Sequence, residues 1–325
     1  MRSALAANLE VGFAGRRVLG LVLLAAALGA PFLFYPVFVM KALCFALFAS
    51  AFNLLIGYVG LASFGHAAFF GWAAYVTAYA VKSWGLDPVS GILLGTALAA
   101  AMGLVFGWLA IRRQGIYFAM ITLALAQMMY FVANEVAFTG GEDGIQAVPR
   151  GTLFGLVNLD DPYAMYYFVL ANFLIGFAII WRTVNSPFGE VLKAIRENEG
   201  RAISLGYRTE HYKLLAFTLS AALSGLAGAT KALVFQLASL TDVFFSTSGD
   251  VLLMTLLGGI GTLFGPAAGA VIMVSMENYL AQFGSWVTVI EGAIFVVCVL
   301  TFRRGIVGEL ARFFPRWFAD GGTPR

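Results

Sequence analysis

From about residue 18 onward the chain alternates long apolar runs with short polar or Gly/Pro interruptions, and most of the runs match the roughly 18 to 20 residues a helix needs to cross a bilayer. The runs predict membrane helices near 18–34, 37–56, 61–81, 89–111, 116–133, 163–181, 213–236 and 286–302. Segment 250–283 is too long for one span, and "LLGGIGTLFGPAAGA" puts glycines and Pro266 in its middle. It predicts two short helices joined by a turn within or near the membrane. The expectation is an all-α integral membrane protein of about ten helical elements, a single transmembrane domain over 1–325 that leaves no room for a soluble domain.

Composition agrees, with 61% hydrophobic and 11% charged residues, less than half the charge of an ordinary soluble domain. The distribution of bases adds orientation. If the spans alternate as read and 250–283 returns to its starting side, every Lys and Arg except Lys41, Lys82, Arg150 and Lys231 falls on one face. By the positive-inside rule that face, with both termini, is cytoplasmic. Arg16 and Arg17 followed by "VLGLVLLAAALGA" have the shape of a signal peptide, but the apolar stretch runs on through "PFLFYPVFVM", as in a retained first helix. Cys44 and Cys298 both lie inside apolar runs and suggest neither a disulfide nor a zinc framework.

Two connections are long. The outer one, 134–161, is rich in glycine and acids, Glu142 and Asp143 among them, and reads as an ordered external cap or docking loop. The inner one, 185–212, lies within "NSPFGEVLKAIRENEGRAISLGYRTEHYK", which gathers four acids and five bases. Its apolar positions, Phe188, Val191, Leu192, Ile195, Ala202, Ile203 and Leu205, follow the spacing of an amphipathic helix. Ser186 and Pro187 mark its start and Gly206 its stop. Such a helix either lies on the membrane surface or docks a soluble partner. Interleaved charges of both signs suit docking, where they fix orientation.

Polar residues inside the spans are functional candidates because each is costly there without a partner. Ser63, His66, Glu277 and Glu291 are the candidates for a translocation path; the acids could hold a cation or an ammonium group. The plainer reading makes His66 a structural residue bonded to its neighbours, sets Glu277 near the outer interface and bonds Glu291 to a neighbouring helix. Lys231 is read as a counterion for one of these acids or as snorkelling outward. Asn53 reads as glue between helices or as a substrate contact. No catalytic constellation and no metal-ligand spacing is present in the sequence.

The stretch "SPFGEVLKAIRENEGRAISLGY" closely resembles the cytoplasmic coupling loop of permease subunits from bacterial branched-chain amino acid importers, the LivM type of ATP-binding-cassette transporter. "NLLIGYVGLASFGHAAFFGWAAYV" (53–76), "LLGGIGTLFGPAAGA" with "MEN" (256–270 and 276–278) and "TGGEDGIQAVP" (139–149) are similar to the same family in the same order. The resemblance covers about residues 40 to 305. Against the wider import-permease pattern of Glu-Ala-Ala, three residues, then Gly, the chain keeps Ala202 and Gly206 but has Gly200 and Arg201 where Glu and Ala would stand.

The resemblance implies a multi-pass protein of the bacterial inner membrane that pairs with a second, related permease subunit as a heterodimer. It also implies two cytoplasmic ATPase subunits and a periplasmic substrate-binding protein, with membrane lipid as surroundings and no nucleic acid. The chain has no Gly-x-x-x-x-Gly-Lys-Ser/Thr phosphate loop, so it binds no cofactor of its own, and ATP with Mg falls to the partner ATPases. On the coupling loop Phe188 is expected as an apolar anchor, Arg196, Glu197 and Glu199 as orienting charges, and Ala202 and Gly206 as small seats that let the ATPase approach. Glu142 and Asp143 are expected to dock the delivery protein. Branched-chain amino acids are the expected substrate; relatives of this type also carry urea, short amides and aromatic acids. A different class, an ion-coupled carrier using Glu277, Glu291 and His66, would have no need of the long amphipathic loop.

Overall fold

The computed structural model describes residues 24–301 apart from 154 and 156, together with 305, 306 and 309. The first expected span is described as α1 (Leu24–Leu33); its beginning, with Arg16 and Arg17, lies outside the described residues. Then follow α2 (Pro36–Tyr58), α3 (His66–Ser83), α4 (Pro88–Ala110), α5 (Ile116–Glu135) and α6 (Pro162–Val184). The inner loop folds as α7 (Pro187–Glu197) and α8 (Glu199–Ser204), and α9 (Thr209–Phe235), α10 (Phe245–Gly258), α11 (Gly265–Leu280) and α12 (Val287–Thr301) complete the order. Local chemistry sets several starts. Asp87, Asp161 and Ser186 each accept a hydrogen bond from a first-turn amide, ahead of Pro88, Pro162 and Pro187. Among the described residues α2, α4, α5, α6 and α9 are long and apolar enough to cross a membrane.

Helix α9 runs through the centre, packed on α2, α3 and α4. Small residues allow the approach. A Cβ at Gly228 would strike the Phe70 backbone, one at Gly225 would strike Ala99, and one at Gly103 would strike Ala221. Helices α10 and α11 form the expected hairpin and pack on α2. At its foot Gly258 lies against the Gly265 carbonyl and Gly269 against the Met254 carbonyl, leaving no space for side chains between the two helices.

Two expectations are corrected here. The span placed at 61–81 begins instead at His66, and 59–65 is an unwound bridge. Gly60 turns the chain out of α2 with φ +82°, and the amides that lose helical partners find side chains: Phe64 N donates to Thr122 Oγ1 at 3.2 Å and Gly65 N to Ser63 Oγ at 3.2 Å. The amphipathic helix expected to run from Ser186 to Gly206 is broken at Asn198, which is extended (φ −159°, ψ 97°) and caps α8 by accepting from Arg201 N.

The outer connection is ordered. β1 (Ile145–Gln146) pairs antiparallel with β4 (Leu237–Ala238), and β2 (Thr152–Leu153) with β3 (Val157–Asn158). Lys82 Nζ donates to Gln146 O at 2.7 Å and Arg150 Nη2 to Val234 O at 2.9 Å. The two bases left on this face thus tie the cap to the ends of α3 and α9.

Candidate coupling loop and translocation path

The inner loop is braced to the bundle through its own charges. Arg196 Nη1 donates to the carbonyl of Gly57 at the end of α2, and the same guanidinium lies against Gly261 in the α10–α11 turn. Asn53 ties those two elements together directly, donating to Thr262 O and accepting from Gly261 N, both at 2.9 Å. It is interhelical glue. Glu199 accepts from Lys213 Nζ at 2.5 Å and from Gln114 Nε2 at 2.5 Å, fastening α8 to α9 and to the turn after α4. Phe188 stacks on Tyr212, ring centroids 5.5 Å apart.

This geometry corrects the physical reason given for several loop residues. Leu192, Ile195 and Ala202 are buried within the chain, and Phe188 packs against the same core, so the apolar stripe of α7 already has its partner. Ala202 cannot be an open seat. Gly206 faces open space, and what it supplies is a left-handed turn at φ +90° that ends α8, with Gly206 N donating to Ile203 O and Tyr207 N to Ala202 O. Arg196, although exposed, and the half-buried Glu199 both bond back to the bundle, whereas Glu197 is exposed and makes no such bond among the described residues. The apolar side chains that remain outward are Ile203, Leu205 (70% exposed) and Tyr207, bordered by Arg201, Arg208 and Glu210. The sequence joins Ile203 and Leu205 to the apolar stripe of α7; the break at Asn198, where the Asn side chain caps α8, separates them from it and leaves them outward.

The path candidates do not all come together: Ser63 and His66 share one place and Glu277 lies in another. His66, fully buried, opens α3 among Phe52, Phe69 and Phe217. Ser220 Oγ donates to Ala51 O at 2.6 Å and so accepts from His66 Nε2 at 2.9 Å. That fixes the neutral Nε2–H tautomer and leaves Nδ1 without a partner among the described residues. Ser63 is buried in the bridge beside it. Glu277 lies elsewhere, in an ion pair with Lys41 Nζ at 2.6 Å. The side chain of Glu291 lies outside the described residues.

Lys231 does not pair with Glu277, which holds Lys41, and does not snorkel as the sequence suggests; it holds Asp242 at 2.5 and 2.7 Å in a nearly buried pair between α9 and the turn before α10. Asp242 also accepts from Ser239 N, which closes that turn. Among the described residues no group of His, Cys, Asp and Glu is arranged to hold a metal, and Cys44 and Cys298 are free thiols. On the other face Glu142 and Asp143 are exposed on the 3-10 turn Gly141–Asp143. The same cap contributes Phe138, Gly140 and Gly144 to a cleft shared with Tyr79 and Lys82 of α3.

Comparison with known proteins identifies the family of the chain. Residues 36–299 match the family described as the branched-chain amino acid transport system permease component. The high-affinity branched-chain amino acid transport system permease protein LivM of Escherichia coli (strain K12) is 28% identical over 283 residues, 78% of this chain and 65% of that protein. LivM of Salmonella typhimurium is 28% identical over 278 residues, with the same shares. The ribose import permease protein RbsC of Bacillus subtilis is 26% identical over 236 residues, 68% of this chain and 70% of its own. The chain thus spans about 65% of the length of the two LivM relatives. With its family model matched from the start of α2 to near the end of α12, the chain belongs to the branched-chain amino acid transport system permease family.

Proposed function

We propose that this chain is the membrane permease subunit of an ATP-driven, binding-protein-dependent importer in the bacterial inner membrane, with branched-chain amino acids as its substrates. The base-rich face is cytoplasmic. There two ATPase subunits bind and hydrolyse ATP with Mg, one of them seated on α8, while a second, related permease completes the pathway as a heterodimer. On the periplasmic face the substrate-binding protein docks on the cap beside Glu142 and Asp143, and its selectivity decides which solute is offered. The chain itself is a transport subunit and no enzyme.

One observation carries the reading. A short two-helix loop is fastened to α2 and to the α10–α11 turn through Arg196, and to α9 through Glu199, yet keeps Ile203, Leu205 and Tyr207 outward. A surface that is rigidly tied to membrane helices and still apolar outside is what transmission of a partner's movement requires. An ion-coupled carrier leaves such a surface unexplained.

The test is uptake of radiolabelled leucine by proteoliposomes holding the chain with its related permease and ATPases. Uptake should require ATP inside, the delivery protein outside and both permeases. Leucine uptake without ATP, or by a complex lacking the second permease, would overturn the proposal.

A further inference from the structure

The ion pair of Lys41 on α2 and Glu277 on α11 is not closed off: the two side chains are 31% and 30% exposed. A third charge stands beside it. Asp250 lies on α10, which packs against both α2 and α11; it feels the charges of Glu277 and Lys41, is half-buried, and makes no hydrogen bond or ion pair among the described residues. The three sit at matching depth. Lys41 lies five residues into α2, Asp250 five residues into α10 and Glu277 three residues before the end of α11, on the order of 5 to 8 Å inside the outer helix ends at 1.5 Å per residue.

Half-open charges inside the ends of apolar helices are costly against acyl chains, so this face is suited to the partner permease or to a water-filled path. One base and two carboxylates leave the cluster one charge negative when all three are ionised. A purely anionic solute is repelled there, and a positively charged group is drawn between Asp250 and Glu277. Lys41 meanwhile offers a point charge to a carboxylate carried next to that group, in exchange for Glu277.

We propose that Lys41, Asp250 and Glu277 form a solute site at the outer part of the translocation path, the two acids holding the ammonium group of an α-amino acid and Lys41 its carboxylate. The proposal rests on the amino acid reading given above. A second feature of the fold supports it: α2 and the α10–α11 hairpin, which carry all three charges, are also the elements that Arg196 and Asn53 clamp at the opposite end. Occupancy at the outer end and movement of the inner loop therefore act on the same packed helices.

The experiment is leucine uptake by cells expressing the complete transporter and lacking their own systems. The variants are Asp250→Asn and the exchange Lys41→Glu with Glu277→Lys, each with its permease level and ATPase co-purification measured. Asp250→Asn breaks no bond in the bundle, so the expected result is a tenfold or greater loss of uptake at unchanged permease level and unchanged ATPase association. The exchange keeps an ion pair but reverses the ligand's poles, and uptake should stay lost. Uptake by Asp250→Asn within twofold of wild type, or recovery in the exchange, would overturn the site and make the pair a brace only. Wild-type cells that take up urea or an amide and no leucine would instead overturn the substrate reading, and the zwitterion site with it.

Discussion

The two helices of the inner loop have opposite relations to the rest of the molecule. Helix α7 carries the stronger amphipathic pattern, and its apolar face, Phe188, Leu192 and Ile195, is spent inside the chain against the bundle. Helix α8 is six residues long and buries only Ala202, while Ile203 and Leu205 point away. The periodic stripe marks how the loop is held, and the apolar residues left outward follow the break in the stripe. A docking element needs both parts, because a surface that could tilt freely would pass no movement to the membrane helices.

Substitutions can break this division of labour. The largest effect is expected from Ile203→Asp with Leu205→Asp: ATPase subunits should no longer co-purify with the permease, although the permease inserts normally. Arg196→Ala comes next. It releases the loop from Gly57 and the α10–α11 turn without touching Ile203, Leu205 or Tyr207, so ATPases should stay bound while transport falls severalfold, since a half-exposed charge-assisted bond contributes at most about 1.5 kcal/mol. Ala202→Leu overpacks the inner side of α8 at a cost of about 1 to 3 kcal/mol. Its mark should be a lower melting temperature of the permease, with ATPase association reduced only as far as the fold is. The smallest effect is Gly206→Ala, where a Cβ meets open space and only the left-handed turn is penalised, by about 1 to 2 kcal/mol.

Much of this architecture was legible in the chain, and the limits have physical causes. Hydropathy marked the spans, and the glycines around Pro266 marked the hairpin, because bilayer thickness and backbone hydrogen bonding act locally. The start of α7 was readable from Ser186 and Pro187 for the same reason. Charge pairing was not. Lys41 and Glu277 are 236 positions apart, and nothing local in either helix distinguishes that pairing from Lys231 with Glu277. The outward face of the loop also escaped periodicity, since the Asn198 cap changes the direction of the chain between Ile195 and Ile203, which a single wheel would place in one stripe. His66 was readable as structural in kind but not in detail: its partner Ser220 comes from α9, 154 positions away.

The most direct test of the docking claim is site-directed cross-linking in the assembled transporter, with single cysteines at Leu205, Ile203 and the buried control Leu192 probed against the ATPase subunits. Leu205→Cys and Ile203→Cys should give cross-links whose yield changes when ATP is bound and hydrolysed, and Leu192→Cys should give none. No cross-link from α8, or an equal yield from Leu192→Cys, would contradict the assignment of this loop as the surface where ATPase movement enters the membrane.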